Sequence, residues 1–322
     1  MTKPLISVII TAFRQRPFLN MALDSVLNQS IDSSEYEILL VTNWKINLHD
    51  EKLPERVKTI EVGSSEDHIN LIYIGIRESS GDILCFLDDD DIFESNKLQT
   101  IKEIFKNHGS VGFVHNAFKL IDINNLEIEN PRRNIKYGQP RKDFTVKSHE
   151  IQDNFRKIVN SEGLINASSI SLRKTAIENI KDDLLYLPGN YDGFLFYAYI
   201  KSGTDLYISS EILTFYRVHK LNNSKPESYE ALLSYLSRLR ESACIIDTYL
   251  STNNNDLGKP ELIYYSIKEK VAIGREKRST NDIIKLFQMF VKYGLTSHLT
   301  MMFVYLLYFF TRKSYYRIVY GQ

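Results

Sequence analysis

The sequence predicts an α/β fold: a doubly wound, mostly parallel sheet with a helical extension at its C-terminal end. Three observations carry this. Residues 5–10 (LISVII), 37–41 (EILLV) and 82–87 (DILCFL) are apolar runs of the kind found in strands covered on both faces. Helical patterns separate them, and strands joined by helical crossovers run parallel. From about Ser228 onward, long helical periodicities replace this alternation.

The elements follow in order. After the first strand, Pro17 sits where a helix can begin, because its missing N–H would be unpaired there anyway. Met21, Ala22, Val26 and Leu27 give that helix one apolar face. Residues 57–62 form a weaker third strand. A helix over 69–79 follows, stopped by Gly81. The strand at 82–87 runs straight into Asp88, Asp89, Asp90 and Asp91. Residues 122–162 are polar and irregular, a long functional loop. Residues 164–172 return to strand character. A helix covers 192–202, Gly203 ends it, and 206–208 and 213–216 are two short strands. The helical region holds patterns over 229–250, 260–276 and 280–293. The boundary is placed near 226, giving a domain over 1–226 (halves 1–121 and 122–226) and a helical region over 227–322.

Composition excludes several classes. Hydrophobic residues make up 43% of the 322, so the chain has a core to bury and is not disordered. Forty Lys and Arg match forty Asp and Glu, leaving no global field to recruit nucleic acid. Of two cysteines, Cys85 lies in an apolar run, and no disulfide framework exists, which fits an intracellular location. No zinc spacing, Walker loop or dinucleotide glycine pattern occurs. Residues 295–310 carry no charge and are followed by Arg312, Lys313 and Arg317. As a helix this run is ~24 Å long, short of the ~30 Å hydrocarbon core. It reads either as an interfacial membrane anchor or as a helix buried against the protein.

The chemistry concentrates at one edge. Ligands of doubly wound sheets bind beyond the carboxyl ends of the strands. Residues 11–14, 42–44 and 88–91 meet that edge. Four adjacent carboxylates repel one another, and a hard cation with oxygen ligands offsets this. On a strand Asp88 and Asp90 share a side, and a turn brings Asp91 in. A solvated acidic loop with a capping Asp is the other reading.

Three motifs then resemble one family. Residues 7–14 (SVIITAFR) with Leu23, Ser25, Gln29 and Ser30 resemble the opening of family 2 glycosyltransferases. Gly75-Ile76 and the run from Gly81 to Asp88-x-Asp90-Asp91 resemble their second fingerprint. Leu213-Thr-x-Tyr216-Arg217-Val-His219, with Asn223-Ser224, resembles their closing motif. The resemblance covers 4–224. It implies a GT-A fold, with 1–121 as the nucleotide-sugar half and 122–226 as the acceptor half, and inverting transfer of a sugar from a nucleoside diphosphate. Thr11, Ala12, Phe13 and Arg14 would lie beside the donor's base. Asp88, Asp89 and Arg217 would contact the donor. Asp90, Asp91 and His219 would hold Mg²⁺ or Mn²⁺. An acid before the 192–202 helix would be the general base, and Asp192 is the candidate, with Asp182 and Asp183 behind it.

This chain departs from the family in places. Asn43 and Trp44 stand where an Asp pair is usual, so Asn43 would bond the base and Trp44 stack on it. Ile72-Tyr73 replaces the usual Arg-Asn, and Asp67 or Glu66 would supply the missing acid. Asn190-Tyr191 replaces a Glu-Asp pair. Ser168-Ser169 reads as structural. The partners expected are a nucleotide-sugar donor and a saccharide or lipid-linked acceptor, at the cytoplasmic membrane face, in glycan assembly. Two other readings stay open: a non-catalytic nucleotide- or glycan-binding relative, and a sugar nucleotidyltransferase. The absence of a glycine in residues 11–16 weighs against the second.

Overall fold

The computed structural model describes residues 4–13, 15–45, 53–64, 67–128, 140, 142–161, 166–219, 222, 228–251, 257–273, 279–294 and 301–302. The chain divides into two compact units. One comprises 1–151, 160–186 and 191–219; the other comprises 152–159, 187–190 and 220–322.

The first unit is built on one sheet. In chain order it contains β1 (Ile6–Ala12), α1 (Leu19–Leu27), β2 (Tyr36–Thr42), β3 (Val57–Glu61), α2 (His68–Glu78), β4 (Ile83–Asp88), β5 (Ile92–Phe93), α3 (Lys97–Asn107), β6 (Val111–Ile121) and β7 (Phe144–Val146). After α4 (Ile151–Asn160) come β8 (Ile170–Arg173), α5 (Lys174–Ile177), α6 (Tyr191–Ser202) and β9 (Asp205–Arg217). The sheet order is β3-β2-β1-β4-β8-β6-β9-β5, with β7 also on β9. Strands β3, β2, β1 and β4 are parallel neighbours, and β8 is antiparallel to both β4 and β6. The mostly parallel, doubly wound reading therefore holds, with β8 reversed at its centre and β5 and β7 antiparallel to β9.

Packing explains the elements. Every residue of β1 is buried, so its apolar run is covered on both faces. Gly75 lets α2 lie against β1, since a Cβ there would come within 2.3 Å of Ile9 Cγ2. Glu37 ties the α2–β4 turn to β1 and β2: its carboxylate accepts from Ser7 Oγ at 2.5 Å, Ser80 N at 2.6 Å and Gly81 N at 3.3 Å. Despite burial, these donors hold its pKa below the ordinary carboxylate value.

Several expectations change. The first helix starts at Leu19, and Pro17 lies in the turn before it. The two short strands expected at 206–208 and 213–216 are one strand, β9, which accommodates Ser209, Ser210 and Glu211 through register shifts against β6. The stretch 122–162 contains β7 and the amphipathic α4, whose Ile151, Phe155 and Ile158 are buried at helical spacing.

The second unit contains α4 apart from its two end residues, together with α7 (Tyr229–Ser251), α8 (Lys259–Ile273) and α9 (Thr280–Tyr293). Its core joins Leu232 and Leu236 of α7, Ile267 and Val271 of α8, Leu286 of α9 and Met301. The expected 225–226 boundary lies outside the described residues, as does all of 295–310 except Met301 and Met302. No helix among the described residues is long and apolar enough to cross a membrane.

Candidate active site

The strand register assembles the site. Thr11 at the end of β1 pairs with Asp88 at the end of β4, and Ala12 pairs with Thr42 at the end of β2. Beyond Asp88 the chain turns, with Asp91 N donating to Asp88 O at 3.1 Å, and re-enters the sheet as β5 against β9. That turn brings Asp91 back toward its neighbours. Asp88, Asp90 and Asp91 each present a carboxylate oxygen, and these atoms lie within 4.8 Å of one another.

Arg16 and His219 border this charge. Arg16, which sequence reasoning passed over, places Nη1 3.1 Å from Asp89 Oδ1 and 2.8 Å from Asp90 Oδ2. His219 Nε2 lies 2.9 Å from the same Asp90 oxygen, with its ring centroid 4.9 Å from that of Phe18. Even so, burial and then Asp90 push Asp88 up to about 6 and Asp89 up to about 8. The same two causes, in the same order, drive Asp91 well above the carboxylate range.

These residues fit a divalent cation. Asp89 Oδ2 and Asp91 Oδ2 are buried with no hydrogen-bond partner among the described residues. Unmatched buried carboxylate oxygens in an all-oxygen cluster are what a hard cation satisfies. The converging set includes Asp88, which the family resemblance placed on the donor. His219 reaches the set through Asp90.

Arg217 is fully buried and holds the aspartate turn. Its N–H donates to Asp91 Oδ1, its Nε to Asp90 O and its Nη1 to Asp122 O, each at 2.8 Å. Its guanidinium also lies 4.7 Å from the Phe18 ring centroid. Asp67 caps α2, accepting from Asn70 N at 3.0 Å. Asn43 follows the end of β2, and the partly buried Trp44 packs against the main core. Arg14, Glu66, Asn223 and Ser224 lie outside the described residues.

Three further residues close around Asp88. Tyr191 donates its hydroxyl to Asp88 Oδ1 at 2.6 Å. His68 Nε2 is 3.1 Å from Thr11 Oγ1 and 3.8 Å from Asp88 Oδ1, and its ring meets Tyr191 edge-on at 5.0 Å. Phe13 flanks the same ring at 6.0 Å. Burial, then the charge on Arg16, lowers His68 to about 4, so it is neutral at pH 7. The backbone N–H of Asp88 donates to Ser168 Oγ at 3.0 Å. Behind Ser168, the fully buried Lys97 places Nζ on Ser168 O at 2.5 Å and on Thr214 Oγ1 at 3.0 Å, and lies over the Phe93 ring at 3.8 Å. Burial takes Lys97 down to about 7.

Asp192 stands in the first turn of α6. Its Oδ1 accepts from Gly193 N at 3.0 Å and its Oδ2 from Asn166 N at 3.2 Å. Burial above all, then the nearby Asp88, raises its pKa. Asn166 adopts φ +67°, the left-handed region that Asn tolerates, and this turn aims its N–H at Asp192. Asp182 and Asp183 lie in a short 3₁₀ turn.

Residues 7–159 match the family described as "Glycosyl transferase family 2". It is 30% identical over 131 residues to an uncharacterised glycosyltransferase of Nostoc, covering 38% of this chain and 39% of that one. It is 26% identical over 144 residues to an uncharacterised glycosyltransferase of Haemophilus influenzae, covering 42% of this chain and 57% of the relative. Among solved structures, Staphylococcus aureus TarS 1-349 in complex with UDP-GlcNAc aligns over 96% of this chain and 93% of its own, with TM-score 0.55 and 12% identity. That likeness shows a GT-A-type fold.

Proposed function

We propose that this protein transfers a sugar from a nucleoside-diphosphate donor to an acceptor hydroxyl with inversion, using Mg²⁺ or Mn²⁺. The observation that carries the reading is the convergence of Asp88, Asp90 and Asp91 within 4.8 Å at the carboxyl edge of the sheet, beside Thr11. These three carboxylates hold the cation, which supplies Lewis-acid neutralisation of the charge growing on the departing diphosphate. Arg16 sets a cation beside these carboxylates, and Arg217 fixes them by holding their turn. Phe13, His68 and Tyr191 line the donor side with rings, and residues 1–121 form the donor half. TarS was solved with UDP-GlcNAc and with UDP, which makes uracil the first base to test.

Asp192 takes the acceptor's proton. Burial raises its pKa, which makes it a stronger base than an exposed carboxylate, and its two backbone donors fix the carboxylate. Asp88 is unsuited to that task, because Tyr191 and the cation engage it. The acceptor is a saccharide or lipid-linked hydroxyl in glycan assembly at the cytoplasmic membrane face; this reading rests on residues 295–310, whose uncharged run is followed by basic residues.

The test is transfer from a radiolabelled UDP-sugar panel. Asp90→Ala is expected to abolish turnover. Asp192→Asn is expected to lower kcat by about 10²-fold or more with little change in donor binding. Asp192→Asn with wild-type kcat would remove it as the base. Donor binding without turnover, in the presence of acceptor extracts, would favour a non-catalytic relative.

A further inference from the structure

The second unit carries a surface that the transfer reaction does not use. On α9, Ile284, Phe287 and Val291 are exposed at 51%, 50% and 66%. At 3.6 residues per turn these three side chains fall within about 60° of one another. They stand opposite the buried Asp282, Leu286 and Tyr293 that face the unit's own core. Exposed large apolar groups in such a line are unusual on a helix already packed on its other side.

The charges on the same helix are sorted. Its one acid, Asp282, is buried and lies 3.5 Å from Lys270 Nζ. Lys285 and Lys292 are exposed and flank the apolar line on one side. The sorting extends along the sequence. Residues 274–322 hold eight Lys or Arg against two Asp or Glu, in a chain whose total is balanced. The helix is secured at both ends, by Ser279 Oγ accepting from Asn281 N and by Gly294 in the left-handed region at φ +62°. It is therefore a formed helix with an apolar line and a cationic flank.

We infer that α9 is an interfacial membrane helix: Ile284, Phe287 and Val291 enter the headgroup–acyl boundary of an anionic bilayer while Lys285 and Lys292 meet its phosphates. An amphipathic helix of this pattern lies in the plane of the interface and binds through apolar burial plus attraction to anionic lipid. At 14 residues α9 is ~21 Å long, suited to lying in the surface and too short to span it. A second copy of the chain is a poorer occupant. Two-fold pairing of this face would set Lys285 and Lys292 against their own counterparts. The inference is independent of the glycosyl-transfer reading, and it places the contact on α9, not on residues 295–310 alone.

The test is co-sedimentation of the full-length protein with phosphatidylglycerol–phosphatidylcholine vesicles and with pure phosphatidylcholine vesicles. Wild type is expected to bind the anionic vesicles and to be released by high salt. The triple variant Ile284→Ser, Phe287→Ser, Val291→Ser is expected to lose partitioning about tenfold or more. The double variant Lys285→Glu, Lys292→Glu is expected to lose it about tenfold on anionic vesicles and not on neutral ones. All five positions are exposed, so circular dichroism and melting should match wild type. If the triple variant misfolds, the lysine variant decides alone. Wild-type partitioning by both variants would overturn the inference and leave 295–310 as the anchor. Failure of wild type to bind either vesicle would also overturn it. A dimer in light scattering, dissociated by the triple variant with vesicle binding unchanged, would assign the face to a second copy.

Discussion

At the scale of single residues, the site is a contest between burial and charge. Three aspartates carry raised pKa values because desolvation and each other's charge outweigh Arg16 and the hydrogen bonds they accept. A carboxylate whose folded pKa is raised stabilises the fold below its ordinary value near 4, and that stability is lost as pH rises through the folded value. Metal-free protein is therefore expected to lose stability between about pH 4 and 8, with Asp88 titrating near 6 and Asp89 near 8. Mn²⁺ should raise the melting temperature more at pH 8 than at pH 6, because it binds the deprotonated cluster. Equal metal-induced shifts at both pH values would contradict this. Tyr191 sharpens the test: its hydroxyl favours ionised Asp88, so Tyr191→Phe should move the pH midpoint of Mn²⁺ binding upward by about 1 unit. Lys97 acts with the opposite sign. Its amine is lowered to about 7, so its burial disfavours the fold below that value and the penalty is relieved as pH rises toward the ordinary lysine range. Lys97→Met should remove this rise in stability between about pH 7 and 10, measured by urea unfolding across that range.

At the scale of elements, what could be read from sequence depended on whether the signal was local. β1, β2 and β4 were legible because each is a continuous apolar run, and the carboxylates were legible because four of them end such a run. β6 went unrecognised. Its sequence VGFVHNAFKLI interrupts the apolar pattern with Gly112, His115 and Asn116, and the fold buries the last two by supplying partners, such as the Thr214 hydroxyl for Asn116. α4 did carry a readable signal in Ile151, Phe155 and Ile158, masked by the polar residues between them. Arg16, His68, Tyr191 and Lys97 left no local trace as site residues, because sheet register and long-range packing bring each to the aspartates. Gly75 is the opposite case, a motif residue whose reason is packing. A side chain there would collide with Ile9, so Gly75→Val should destabilise the protein by about 1–3 kcal/mol or more in urea unfolding. A smaller loss would mean that α2 can shift away from β1.

At the scale of the whole molecule, one unit carries the carboxylates and their partners and the other carries the exposed apolar line of α9. The family match covers 7–159, most of it in the first unit, while the helical unit is formed mostly by 220–322. The central claim concerns the first unit: its aspartate cluster binds a donor diphosphate through a divalent cation. The most direct measurement is a thermal-shift panel of UDP, GDP, dTDP, ADP and CDP with and without Mn²⁺, run on wild type and on Asp90→Ala. A ligand that binds only the folded state raises its melting temperature. The account predicts stabilisation by one diphosphate, dependent on Mn²⁺ and abolished by Asp90→Ala. Stabilisation by none of them in folded protein, or by one without regard to metal or to Asp90, would contradict it.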